Sequence, residues 1–214
     1  MEKVAVIDYG MSNLRSVAKA LQQVSGARFE IRIHDKPEQI LSADRIVFPG
    51  QGAIGTCMET LRAQGLEQVL LECIRTKPFL GLCLGLQTLL DFSDEDGGTK
   101  GLGVVSGRVV RFPEHQQDAA GNFFKIPHMG WNRVIQQRQH PLWNGIASGE
   151  RFYFVHSYYV VPDDGSCIVG TTDYILEFAS ALARENFFAV QFHPEKSQRA
   201  GLRLLKNFLD WSVD

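Results

Sequence analysis

Lys77-Pro78-Phe79-Leu80-Gly81-Leu82-Cys83-Leu84-Gly85-Leu86-Gln87 decides how this chain is read. Pro78 introduces Phe79–Leu82, an apolar run with the length of a buried strand, and the run ends directly on Cys83. A glycine lies two residues to either side of that cysteine. Gly-x-Cys-x-Gly where a strand turns into a helix is the thiol form of a nucleophile elbow. The turn is so sharp that a Cβ at either flanking position would strike the neighbouring strand or helix. The residue between them takes a strained backbone conformation that pushes its side chain into the open. A helix N-terminus at the same point favours thiolate over thiol. The plain alternative is a buried strand that ends in glycine, with Cys83 as packing.

Outward from this segment, the N-terminal side alternates strand and helix. Val4–Ile7 is a short apolar run; Ser12 then caps a helix carrying Leu14, Val17, Leu21 and Val24 at helical spacing, which Gly26 ends. Phe29–Ile33 alternates with period two, Pro37 opens a short helix, and Arg45–Phe48 is a buried strand that Pro49-Gly50 stops. Helical stretches follow at Ile54–Gln64 and Leu66–Thr76. This β-α-β-α order predicts a parallel, helix-covered sheet. Beyond Gly97-Gly98 the chain turns β-rich. Val104–Phe112, Phe123–Ile126, Trp131–Ile135, Arg151–Val161, Ile168–Thr172, Phe178–Ala183 and Phe188–Phe192 all read as strands. Asp163-Asp164-Gly165 reads as a hairpin turn, His115–Asn122 as a polar loop, and Ser197 as the cap of a last helix with Leu202, Leu205, Phe208 and Leu209 on one face. The expected fold is α/β in a single domain, 1–214: a central, mostly parallel sheet flanked by helices, with a β-rich C-terminal half.

Composition excludes several classes. Hydrophobic residues at 44% and charged residues at 21% are ordinary globular values. A net charge of −2 gives no basic surface for nucleic acid, and no apolar stretch approaches the ~20 residues that span a bilayer. No secretory leader is legible at Met1–Asp8, so a cytoplasmic location is expected. Cys57, Cys73, Cys83 and Cys167 show no paired spacing, which leaves neither a zinc site nor a redox dithiol; no metal or cofactor is expected.

His193-Pro194-Glu195 supplies what a cysteine nucleophile needs. It follows the apolar run Phe188–Phe192, so His193 emerges where a sheet ends, and Pro194 prevents the strand from continuing. Glu195 can hold one ring nitrogen and leave the other for the thiol, giving Cys83, His193 and Glu195 the parts of a nucleophile–base–orienter triad. Gly50-Gln51-Gly52-Ala53-Ile54-Gly55 matches G-x-G-x-x-G. Pro49 interrupts the turn, however, and no acidic residue ends a later strand at the right distance. The segment reads better as a glycine loop whose N–H groups face a developing oxyanion.

Gly81-Leu-Cys83-Leu-Gly85-Leu-Gln87 and Gln191-Phe-His193-Pro-Glu195-Lys-Ser together resemble the signatures of class I (triad) glutamine amidotransferases. Asp8–Leu14, Pro127–Asn132 and Phe152–Tyr158 narrow the resemblance to the glutaminase subunits of histidine biosynthesis, and it extends from residue 4 to about residue 209. The resemblance implies the class I glutamine amidotransferase fold. It also implies that Cys83 attacks the carboxamide of glutamine, that His193 shuttles the proton and that Glu195 orients the ring. The oxyanion hole would be the N–H groups of Leu84 and of the Pro49–Gly52 loop, through Gly52. Gln51 stands where relatives often carry valine. Gly50, Gly52, Gln87, Glu95, Ser157 and Tyr158 would line the glutamine pocket. The implied partner is a (β/α)8-barrel cyclase subunit that takes up ammonia and makes imidazole glycerol phosphate and AICAR, with Asn13, Trp131, Tyr153 and Lys196 facing it. A paralogous pair serving amidino-sugar and surface-polysaccharide synthesis is the alternative pathway.

Overall fold

The computed structural model describes residues 1–10 and 14–213, so the predicted cap Ser12 and the predicted contact Asn13 lie outside the described residues. The N-terminal half alternates β1 (Glu2–Ile7), α1 (Leu14–Ser25), β2 (Phe29–His34), α2 (Pro37–Leu41), β3 (Arg45–Gly50), the pair α3 (Ile54–Ala63) and α4 (Leu66–Thr76), and β4 (Phe79–Cys83). A single turn, α5 (Leu84–Gln87), follows. Then come β5 (Leu90–Ser93), β6 (Thr99–Lys100), β7 (Val105–Arg111), β8 (His128–Gln136), β9 (Glu150–His156), β10 (Tyr158–Pro162), β11 (Ile168–Asp173), β12 (Glu177–Arg184), β13 (Phe187–Val190) and α6 (Gln198–Asp210).

The sheet runs in the order β2-β1-β3-β4-β13-β12-β10-β7-β5-β6, with β11, β8 and β9 branching from β12. Its centre, β2 to β13, is parallel. Side chains alternate across it as a twice-covered sheet requires. Val4 and Val6 pack with Val17 and Leu21 of α1 and Leu205 and Phe208 of α6; Ala5 and Ile7 pack on the other face with Ile54, Leu61 and Leu70. Each such leucine or phenylalanine buried from water contributes roughly 2 kcal/mol before entropy is counted.

One connection places the site. The last strand, β13, returns to lie parallel to β4 with Val190 opposite Leu82, so the residues after Val190 are carried to the end of β4, beside Cys83. The C-terminal half is antiparallel: β12 pairs with β13, β10 with β12 and β7, and β8 with β9.

Several expectations are corrected. Pro49-Gly50 does not stop β3, which continues to Gly50 opposite Cys83. The ladder to β1 ends at Val47, so the missing N–H of Pro49 removes no bond on that side. Arg151–Val161 is two strands broken at Ser157: β9 pairs with β8, whereas β10 crosses to β7 and β12. Phe123–Ile126 forms only the isolated bridge Gln117–Phe123. Asp163-Asp164-Gly165 makes no hairpin, because β10 and β11 do not pair; Asp164 instead caps a short 3-10 turn by accepting the Ser166 N–H at 2.7 Å.

Candidate active site

Cys83 has φ 54° and ψ −105°, a backbone conformation that side chains avoid because Cβ crowds the carbonyl; it costs on the order of 1–3 kcal/mol. The flanking glycines explain why the chain can turn there. A Cβ on Gly85 would lie 2.2 Å from the Phe48 carbonyl oxygen, and one on Gly81 would lie 2.8 Å from the carbonyl oxygen of Gly85. The helix that the elbow feeds is only one turn long, so the help it gives a thiolate comes from a few unpaired N–H groups at the turn, Leu84 first among them, rather than from an extended helix dipole. The three other cysteines are buried packing. Burial pushes the Cys57 and Cys73 thiols up to about 12 and about 11 and raises that of Cys167.

His193 lies beyond Val190 on the strand next to β4, and its ring is buried. Nδ1 is 2.9 Å from Oε1 of Glu195, whose side chain is only 1% exposed. Burial by itself lowers the affinity of the ring for a second proton. The charge on Cys83 and the contact with Glu195 overcome this and hold the His193 pKa up at about 10. Nε2 is buried, with no other hydrogen-bond partner among the described residues, and Cys83 is the neighbour that raises its affinity for a proton. The turn is fixed from behind. The His193 N–H donates to the Tyr153 carbonyl at 2.9 Å. Ser197, expected to cap α6, makes no cap bond; its hydroxyl donates to the His193 carbonyl at 2.6 Å and accepts the Tyr153 N–H at 3.0 Å. A serine suited to a helix end serves the catalytic turn instead.

The glycine loop lies against this pair: Pro49, Gly50 and Gln51 line the same small void, about 20 Å³, as His193 and Glu195. A Cβ on Gly50 would come within 2.8 Å of the Leu84 Cβ, and Gly52 has φ 92°. Glu95 accepts the Ile54 N–H at 2.9 Å, just past that loop, so it caps the start of α3, and burial raises its pKa. Gln87 donates from Nε2 to the Tyr158 carbonyl at 3.2 Å and to Oε1 of Gln191 at 3.1 Å. Ser157 sits at the break between β9 and β10, immediately before Tyr158.

Gln191 was not singled out by sequence reasoning. It is fully buried, and its Nε2 lies 3.6 Å from the Cys83 sulfur. The signals were a carboxamide inside an otherwise apolar run and its place at the head of the Gln191–Ser197 signature, neither of which gave it a role.

Three of the four predicted partner contacts form one cluster. Trp131 stands opposite Tyr153 across β8 and β9, their rings 6.1 Å apart, and the Lys196 ammonium lies 5.7 Å from the Tyr153 ring centre. Trp131 is 42% exposed, unusual for a residue this large and apolar.

Comparison with known proteins gives a consistent result. The family described as glutamine amidotransferase class-I matches residues 5–211. The chain is 57% identical to imidazole glycerol phosphate synthase subunit HisH of Nitrosococcus oceani over 99% of both chains. It is 56% identical to the protein of the same name from Methylococcus capsulatus, over 99% of this chain and 97% of that one. Among solved structures, a putative GMP synthase component from Thermoplasma acidophilum superposes with a TM-score of 0.70 at 19% identity, covering 98% of this chain and 93% of that one. A crystal structure titled glutamine amidotransferase gives 0.67, also at 19% identity, covering 97% of each chain.

Proposed function

The chain belongs to the class-I glutamine amidotransferase family, and from that premise we propose that residues 1–214 act as one glutaminase domain, the ammonia-producing subunit of an imidazole glycerol phosphate synthase in cytoplasmic histidine biosynthesis. The names of the similar proteins support this pathway over amidino-sugar assembly.

The observation that carries the chemistry is the setting of His193: buried, bonded through Nδ1 to Glu195, and with its pKa raised by its neighbours Cys83 and Glu195. An imidazolium beside Cys83 leaves a nucleophilic sulfur at neutral pH. The sulfur attacks the carboxamide carbon of glutamine, and the oxygen that becomes negative is met by the N–H groups of Leu84 and of the Gly50–Gly52 loop. His193 passes its proton to the departing nitrogen, so the C–N bond breaks to give ammonia and a γ-glutamyl thioester. Water, deprotonated by the now neutral ring, hydrolyses the thioester to glutamate and restores the sulfur. In this reading Gln87, Glu95, Ser157 and Tyr158 would line the glutamine pocket.

The ammonia needs a protected route, because in neutral water it protonates and ceases to be a nucleophile. A (β/α)8-barrel cyclase docked on the Trp131–Tyr153–Lys196 cluster would receive it. The test is to co-purify the chain with such a cyclase and compare Cys83→Ala with the parent. Glutamate release should vanish while cyclase activity with added ammonium persists. Loss of both, or retention of both, would sink the assignment.

A further inference from the structure

We propose that the Gln191 carboxamide is a donor to the Cys83 sulfur, and that a hydrogen-bond chain running inward from half-buried Asn132 through His128, His156, the Tyr158 carbonyl and Gln87 holds it in that orientation. The proposal rests on Cys83 being the nucleophile.

Every hydrogen in the chain can be assigned from its ends. Asn132 Oδ1 accepts the Arg133 N–H at 2.7 Å, so its Nδ2 faces the other way, donating to the Asp173 carbonyl at 2.8 Å and to His128 Nε2 at 3.2 Å. His128 must then carry its proton on Nδ1, 2.9 Å from His156 Nε2. His156 in turn carries its own on Nδ1, donated to the Tyr158 carbonyl at 2.7 Å. That oxygen also accepts from Gln87 Nε2. The second hydrogen of Gln87 goes to Gln191 Oε1, which fixes which end of the Gln191 amide is oxygen and turns its Nε2 to the sulfur at 3.6 Å.

The chain cannot conduct a proton, because the Tyr158 carbonyl accepts from both sides and passes nothing on. What it transmits is position. Both histidines are neutral in it, as burial also dictates: protonating either would set two N–H groups face to face. Gln191 itself is anchored by its N–H, which donates to the Ser180 carbonyl at 2.9 Å. A buried amide with its oxygen already engaged has one use for its remaining hydrogens, an acceptor, and the sulfur is the acceptor it meets. The donor bond favours thiolate and aims it.

The experiment measures alkylation of Cys83 by iodoacetamide against pH on the full chain, with peptide mass spectrometry separating it from Cys57, Cys73 and Cys167, and glutaminase kinetics on the complex. Gln191→Met keeps length and removes the donor. It should move the alkylation midpoint up by about one pH unit, equivalent to about tenfold less thiolate at a fixed pH. It should also lower kcat about tenfold and leave KM for glutamine within about twofold. An unmoved midpoint overturns the proposal. If Gln191→Met does not fold, His128→Phe carries the test, since His128 is stacked between Phe154 and Tyr174 and a phenyl ring preserves that sandwich. It should shift the midpoint in the same direction by about half a unit, and no shift there is equally fatal. The midpoint is read without glutamine. A wrong glutaminase assignment would therefore appear in Cys83→Ala kinetics and leave the Gln191 result standing.

Discussion

Two histidine sites in this molecule are equally buried, yet one favours the charged ring and the other the neutral ring. His193 is 5% exposed and held near a pKa of about 10; His128 and His156 are 3% and 6% exposed and fall to about 4 and about 3. Burial pushes all three the same way. The difference is the company each keeps: His193 has a carboxylate on one side and a sulfur on the other, while the pair is bonded to an amide, a carbonyl and each other, and His156 also feels the charge of His193, which lowers its pKa further. Depth sets the penalty for charge, and the nearest anion decides whether it is met. The parallel centre of the sheet thus carries the reactive histidine, and the antiparallel half carries two that serve as fixed hydrogen-bonding parts.

The largest expected effect comes from making His193 resemble the others. Cys83→Ala should lower glutamate release by at least ~10⁴-fold and drop the His193 pKa, visible in the NMR titration of its ring. Next, Glu195→Gln removes the other anion and leaves an amide that cannot hold the charged ring. A loss of about 10³-fold in kcat is expected, with the fold intact by circular dichroism. A third test acts on the neutral pair through pH. An unfolded histidine gains its proton near 6.5, but the folded pair refuses it until about 4 and about 3. Stability should therefore fall as pH drops from 6.5 toward 4, by about 1.4 kcal/mol per pH unit for each histidine, and denaturant titrations of His156→Gln should show a shallower slope. His193 has the opposite sign: its contribution is complete below pH 6.5 and is lost as pH rises through about 10. The smallest effect on the chain itself belongs to Trp131→Ala, which touches neither histidine site. Its melting temperature should stay within about 2 °C of the parent while binding to the cyclase weakens about tenfold or more.

What was legible in the sequence was local. Gly81, Cys83 and Gly85 announce their turn because the residues that make it lie within five positions, and His193 and Glu195 because they are two apart, although the Phe48 carbonyl that forbids a Cβ on Gly85 lies on another strand. Position in the sheet was not legible. Gln191 reaches Cys83 across 108 residues through a strand pairing that no short motif encodes. Ser197 has a capping residue's chemistry, yet the His193 carbonyl and Tyr153 N–H claimed it. Pro49 reads as a stop, but its strand had already run past its neighbour. Glu95, read as part of a pocket, is first a cap for α3, 41 residues away from Ile54 in sequence. The C-terminal strands were visible as strands; which partner each would choose, and the change of partner at Ser157, depended on the whole sheet.

The left-handed backbone at Cys83 has a consequence for how this protein can be changed. Glycine is the residue that conformation suits, so a chain carrying glycine there would be relieved of strain and should melt at a higher temperature than the working enzyme, with no chemistry left. Selection for thermal robustness alone would therefore erode the reactive sulfur, and only a screen that demands turnover would keep it.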